Sequence, residues 1–164
     1  MRGPFILGGL ALVLVSALVI VMQKEAVLAR GQPVLLRLAP VDPRSLMQGD
    51  YMRLNYAIST DQGWDNDGRP RDGNLVLRLD SDGVGQFVRF DSAEVPLAPG
   101  EFRLRYRIRD HRVRLGAEAF FFQEGHADRY EHAKYGELRV ADSGTSVLVG
   151  LRDENRKPLG DAVH

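Results

Sequence analysis

The chain of 164 residues has no cysteine and no net charge, since 22 acidic side chains balance its 22 basic ones. Without cysteine, it forms neither a disulfide framework nor a thiolate metal site. Without an excess of positive charge, it lacks the usual signature of a nucleic-acid-binding protein. We therefore expect no nucleic acid among its partners.

Charge is also absent from the segment between Phe5 and Met22, where Ser16 is the one polar side chain. As a helix, this segment would be about 27 Å long, close to the thickness of a bilayer's hydrocarbon core. It exceeds the apolar core of a usual signal peptide, which has about 7 to 15 residues. The sequence predicts a single N-terminal transmembrane helix, with residues 1–30 as anchor and short linker and residues 31–164 as one domain.

Basic residues are nearly balanced across this segment, because Arg2 precedes it and Lys24 and Arg30 follow it, with Glu25 between them. Since so few residues precede the segment, we expect its N-terminus inside the cell and the domain outside, at the cytoplasmic membrane. The alternative is a signal peptide cleaved after Ala29, where small residues stand at a permissible spacing.

Beyond residue 30 the hydrophobic pattern has a period of two, which is typical of strands buried on one face. The clearest strand is Glu101–Arg109, where large apolar residues alternate with arginines. Two hairpins are predicted over residues 75–90 and 138–151, because Asp-Gly and Ser-Gly turns separate their apolar runs. The sequence therefore predicts a mainly β domain, a compact antiparallel sheet or barrel with one short helix.

The other predicted elements are strands over residues 34–38, 51–59 and 113–122 and the short helix over residues 126–135, which Gly125 opens and Gly136 closes. We expect Phe120–Phe122 and the strand that carries Tyr51, Leu54 and Tyr56 to build the core.

The densest local motif is a corner between two of these strands. In this corner two prolines restrict φ, and a glycine permits φ values that other residues rarely adopt. An aspartate can accept hydrogen bonds from the backbone of the turn. Its residues are Pro40, Asp42, Pro43, Arg44, Gly49, Asp50, Tyr51, Leu54 and Tyr56. The turn chemistry predicts a rigid structural corner.

The segment Gly49-Asp50-Tyr51-x-x-Leu54-x-Tyr56 resembles the motif that gives its name to the GDYXXLXY family of bacterial membrane-anchored proteins. Pro40–Arg44 and Phe121–Gly125 are also similar to that family, so the resemblance extends from about Gly31 to Leu151. It implies one anchor and an outward domain, and it implies no particular activity.

A weaker resemblance links Pro43-Arg-Ser-Leu46-x-x-Gly49-Asp50 to a segment of the type I signal peptidases. Those enzymes need a nucleophilic serine five residues before that leucine and a lysine as its base. Here Val41 occupies the serine's position, and no lysine lies between residues 25 and 133. The resemblance favours a related β fold without the catalytic dyad.

Two further groups of residues are candidate sites. Arg103, Arg105, Arg107 and Arg109 would project from one face of a strand about 6.7 Å apart, a spacing that suits rows of phosphate or carboxylate. Carboxylates on neighbouring strands are the alternative partners for these arginines. Glu124, Gly125 and His126 form a possible secondary site, which would serve a hydrolase together with Asp50.

We expect no metal site and no cofactor. The segment Asp65-Asn-Asp67-Gly68 imitates part of a calcium loop, but Gly63 and Asn74 occupy positions where that loop needs carboxylates. The sequence favours a non-enzymatic accessory or interaction module whose partners are the bilayer and another membrane protein. The alternative is an envelope hydrolase, or a signal-peptidase-like domain that lacks the dyad.

Overall fold

The computed structural model describes residues 3–40, 47–48, 51–60, 64, 70–110, 112–116, 118–123 and 125–160. A long helix, α1, spans Gly3–Arg30 and is followed by short strands. The strands are β1 (Gln32–Arg37), β2 (Met47–Gln48), β3 (Tyr51–Arg53), β4 (Asp72–Leu79), β5 (Gly85–Phe90), β6 (Glu101–Arg109), β7 (Arg112–Arg114), β8 (Ala119–Phe121), β9 (Tyr135–Val140), β10 (Ser146–Arg152) and β11 (Pro158–Leu159). Two 3-10 turns lie at Ala57–Ser59 and Ala127–Arg129.

Helix α1 carries the apolar segment and leaves it exposed. Large apolar side chains from Ile6 to Met22 are 46–69% exposed to the surroundings. By length and composition, α1 is long and apolar enough to cross a membrane. The prediction of one long apolar helix near the N-terminus is confirmed.

The last turn of α1 packs on the β domain. Val27 is only 8% exposed there, and its carbonyl oxygen accepts a hydrogen bond of 2.8 Å from the Gly31 backbone N–H. Arg139 of β9 donates to the Gly31 carbonyl at 3.4 Å. A single residue, Gly31, separates the helix from β1. The helix is therefore joined to the domain by packing and hydrogen bonds rather than by a flexible linker.

The strands form three sheets with the orders β1-β9-β10-β11, β2-β3-β8 and β5-β4-β6-β7. Strand pairs in all three sheets are antiparallel, and the sheets curl around a common core. The predicted mainly β, antiparallel fold is confirmed. The core consists of buried side chains from all three sheets, among them Leu36, Met52, Leu77, Leu104 and Leu138, together with Leu54 and Tyr56 from the segment after β3.

The four-stranded sheet that starts with β1 has two distinguishable ends. Gln32, the first strand residue after the helix, pairs with Val140, which in turn pairs with Ser146. We call this the helix-proximal end, and the β9–β10 hairpin turn at residues 141–145 lies there. At the helix-distal end, Arg37 pairs with Tyr135, about 17 Å away along the strand.

The two hairpins and the β6 strand lie where the sequence predicts them. The turn between β4 and β5 places Gly83 at φ 77°, a conformation that glycine adopts easily. Asp80 stabilises this turn, because its carboxylate accepts hydrogen bonds from the backbone of Val84 and Asp82 and from the Gln86 side chain. These bonds hold the pKa of Asp80 below its ordinary value.

Four predictions about local structure are wrong. The strand predicted over residues 51–59 ends at Arg53, and a 3-10 turn follows at Ala57–Ser59. The strand predicted over residues 113–122 is split into β7 and β8, which belong to different sheets, because Gly116 at φ 85° breaks it. The helix predicted over residues 126–135 is only the 3-10 turn at Ala127–Arg129. Phe121 is 74% exposed, whereas its neighbour Phe120 is buried.

Candidate functional site

A groove of about 490 Å³ opens at the helix-distal end of the domain. Three segments build most of it: the chain at the end of β1, β3 with the residues after it, and the turn that leads into β9. Glu154, which follows β10, adds to the lining. Buried Met52 and Leu54 belong to its apolar lining, with Leu38 and Ala133 half-buried beside them. The groove therefore has an apolar part that includes a residue of the named motif.

Backbone hydrogen bonds hold the three segments together. The Leu38 N–H donates to the Lys134 carbonyl at 2.8 Å, and the Ala39 N–H donates to the Asn55 carbonyl at 2.8 Å. On the other side, the Leu54 N–H donates to the Glu118 carbonyl at 2.8 Å. Because these backbone groups are already paired, recognition in the groove falls mainly to side chains.

Exposed charges of both signs line the groove. Arg37, Arg53 and Lys134 are cationic, and Glu131 and Glu154 are anionic. Arg37 lies 5.6 Å from the centre of the Tyr135 ring, to whose hydroxyl it donates at 3.4 Å. Within the described ranges, none of these five charges forms an ion pair. An apolar lining with mixed charge suits a protein segment better than a uniformly charged ligand.

The motif residues that the structure describes divide into core and surface. Leu54 and Tyr56 are 2% and 1% exposed, and burial raises the pKa of the Tyr56 hydroxyl. Tyr51 lies on the opposite face of β3 from Met52, and its ring centre is 5.7 Å from that of exposed Phe121. Pro40 lies in the wall of the groove. Asp42, Pro43, Arg44, Gly49 and Asp50 lie outside the described residues, so the predicted corner stays a prediction.

Two residues of the predicted secondary site, Gly125 and His126, are exposed in the turn after β8, and Gly125 has a φ of 81°. Glu124 lies outside the described residues, as does the segment that resembles a calcium loop. In the part of the chain that is described, no three His, Cys, Asp or Glu side chains are grouped closely enough to hold a metal ion.

The predicted arginine row lies on one face of β6 and continues across β7. Arg107 is directly opposite Arg114, and Arg109 is directly opposite Arg112. With Arg112 and Arg114 of β7 added to the four arginines of β6, the row has six members. Carboxylates pair with three of them: Asp91 with Arg103 at 2.7 Å, Asp72 with Arg107 at 3.3 Å and Asp110 with Arg114 at 3.7 Å. Pairing within the domain therefore accounts for half of the row.

Sequence reasoning missed the groove charges Arg37, Arg53, Glu131, Lys134 and Glu154. They come from four separated segments, which are brought together by the pairing of β9 with β1 and β10 and by backbone hydrogen bonds of Leu38, Ala39 and Lys134. The packing of Trp64 on Tyr106 was not predicted either. The two ring centroids are 5.0 Å apart, on the face of β6 opposite the arginines.

Fold and sites together define a class: a small antiparallel β domain joined directly to one N-terminal apolar helix. A family model described as GDYXXLXY protein matches residues 13–151. The chain belongs to this family. No curated protein and no solved structure shows significant similarity to the chain.

Proposed function

We propose that the chain is an interaction module of the bacterial cell envelope, retained in the inner membrane by α1 with its N-terminus in the cytoplasm and its β domain outside. It acts as an accessory to another membrane protein, without catalysis of its own. The observation that carries this proposal is the junction at Gly31, where the helix passes into the sheet after a single residue.

The junction supports a retained anchor. Ala29, after which a signal peptidase would cut, lies inside the last helical turn, two residues after Val27, which is packed on the domain. Cleavage would require this turn to unwind and Val27 to leave its packing. The same contacts fix the direction of the domain relative to the helix, as a module with a defined orientation requires.

The position of the groove supports the role of the module. The groove lies at the helix-distal end, about 17–20 Å along β1 from the residue where the helix enters. We propose that this end faces away from the bilayer and contacts a segment of the partner protein that carries apolar side chains and charges of both signs.

The topology is testable with single cysteines, because the natural chain has none. We expect Ser143→Cys, in the exposed β9–β10 turn, to react with a membrane-impermeant maleimide in intact spheroplasts. Gly3→Cys should react only after lysis. The purified protein should keep the mass of the uncleaved chain.

A reversed labelling pattern would contradict the orientation. A soluble product that begins at Arg30 would contradict the retained anchor, whatever the labelling pattern.

A further inference from the structure

We infer that the arginine row binds the phosphate groups of anionic lipid headgroups on the domain's side of the bilayer. The inference rests on the proposed retention of α1 in a membrane, and it adds a second contact between the protein and that membrane. The arginine row is defined as Arg103, Arg105, Arg107, Arg109, Arg112 and Arg114.

The first observation is an unbalanced charge. Arg109 and Arg112 face each other directly across β6 and β7, a like-charged pair that costs stability. Arg105 faces Asn74, although its neighbour Arg107 faces Asp72. Over the described ranges, Arg105, Arg109 and Arg112 are exposed and form no ion pair. Three guanidinium groups thus remain for an external anion, and their fork of donors suits phosphate oxygens.

The second observation is the position of the row. The Arg105 N–H donates to the Gly144 carbonyl in the β9–β10 turn at 2.8 Å. Next to Arg114, the Leu115 carbonyl accepts a hydrogen bond of 2.9 Å from Ser146, the first residue of β10. These contacts attach Arg105 and the C-terminal end of β7 to the helix-proximal end of the domain, on the side where the helix enters.

The third observation is the distance from the bilayer. From Met22 to Gly31 the chain rises about 13 Å as a helix. The headgroup layer occupies about 5–7 Å of this rise. The helix-proximal end therefore lies at most about 8 Å beyond the headgroups, which is close to the Debye length at physiological ionic strength. Basic residues at this range are attracted to anionic lipid.

Lipid is favoured over an acidic protein segment because the rigid junction holds the row near the membrane permanently. The headgroups are then present at a high effective concentration without a separate encounter. An acidic partner would have to reach the same narrow space between domain and bilayer.

The test measures the modification of individual arginines by phenylglyoxal, read by mass spectrometry, on the full chain in nanodiscs. One set of nanodiscs contains phosphatidylcholine alone and the other contains phosphatidylglycerol in addition. We expect Arg105, Arg109 and Arg112 to react about fivefold more slowly in the anionic nanodiscs, and high salt to remove the difference. Arg53, exposed in the groove at the other end of the domain, is the internal control and should react equally in both.

A second measurement compares thermal stability in the two kinds of nanodisc. Anionic lipid should raise the Tm of the wild type and of the control Arg53→Gln, because a ligand of the folded state stabilises it. The Tm difference should vanish in the triple variant R105Q/R109Q/R112Q. If that variant does not fold, the arginine modification of the wild type decides alone.

Equal modification rates in both nanodiscs would overturn the inference. Equal protection of Arg53 would also do so, because it would show a general effect of the charged surface. Protection by inorganic phosphate in phosphatidylcholine nanodiscs, to the same extent as by anionic lipid, would identify a soluble anion instead. Protection by polyglutamate alone would identify an acidic protein segment. None of these outcomes affects the cysteine labelling, so failure here is distinguishable from failure of the proposed topology.

Discussion

Replacing Tyr56 with alanine should lower the free energy of unfolding by about 3–5 kcal/mol, and Leu54→Ala by about 2–5 kcal/mol. Both side chains are almost completely buried. The Tyr56 ring also fills the space above Gly136, where a Cβ would lie 3.0 Å from a ring carbon. Each truncation removes apolar contacts and leaves a cavity. Since domains of this size are stable by about 5–15 kcal/mol, either change is severe. Denaturant unfolding of the full chain in detergent measures the loss.

Tyr51→Ala is the matched control from the same motif. Tyr51 is half-buried and packs on Phe121, which is itself 74% exposed. Loss of such an aromatic contact costs about 0.5–1.5 kcal/mol. If Tyr51→Ala destabilised the domain more than Tyr56→Ala, the assignment of these motif residues to surface and core would be wrong.

The second large effect is expected at the junction. A Cβ at Gly31 would collide with the carbonyl oxygen of Val27 and lie 3.0 Å from the Arg139 Cβ and 3.1 Å from the Val140 nitrogen. Two of these neighbours are backbone atoms, which do not move away easily. Gly31→Val should therefore destabilise the junction by about 1–3 kcal/mol, the usual cost of overpacking. It should also separate the last helical turn from β9.

Hydrogen exchange measures this separation directly. The Gly31 amide, which donates to the Val27 carbonyl, should exchange faster in Gly31→Val than in the wild type. Gly9→Val is the control, because a Cβ at Gly9 has no neighbour within 4 Å and should change neither stability nor exchange. Unchanged exchange at residue 31 in Gly31→Val would mean that the junction is not packed as described.

The sequence was informative wherever one strand buries one face. Strand β6 matches its predicted bounds because apolar residues alternate with arginines along its whole length. The β4–β5 hairpin matches because Asp-Gly supplies a positive φ at the turn. In both cases local pattern and tertiary packing favour the same structure.

Prediction failed where tertiary contacts override the local pattern. Residues 126–135 have a helical composition, but Lys134 accepts a backbone hydrogen bond from Leu38 and donates one to Arg152, and β9 begins at the next residue. Gly136, predicted as the end of the helix, is a strand residue that makes room for Tyr56. The apolar run at residues 113–122 is divided between two sheets, an arrangement that periodicity does not encode.

The arginine row and the groove also differ in how far the sequence alone predicts them. The arginine row could be predicted because strand alternation alone places its first four members on one face. Its continuation through Arg112 and Arg114, and the absence of a carboxylate opposite Arg105, depend on strand register. The groove could not be predicted, because it forms only where the ends of β1, β3 and β9 meet.

The central claim is that the packing of α1 on the domain holds the domain in one orientation relative to the membrane, with the groove at the helix-distal end. The most direct test places a spin label at Ser143→Cys or at Lys134→Cys in otherwise cysteine-free protein in nanodiscs, and measures the distance of each label from paramagnetic lipid headgroups. We predict narrow distance distributions, with the Ser143 label near the headgroups and the Lys134 label farther away by up to about 20 Å, the length of six strand residues. Broad distributions, or equal distances for the two labels, would contradict the claim.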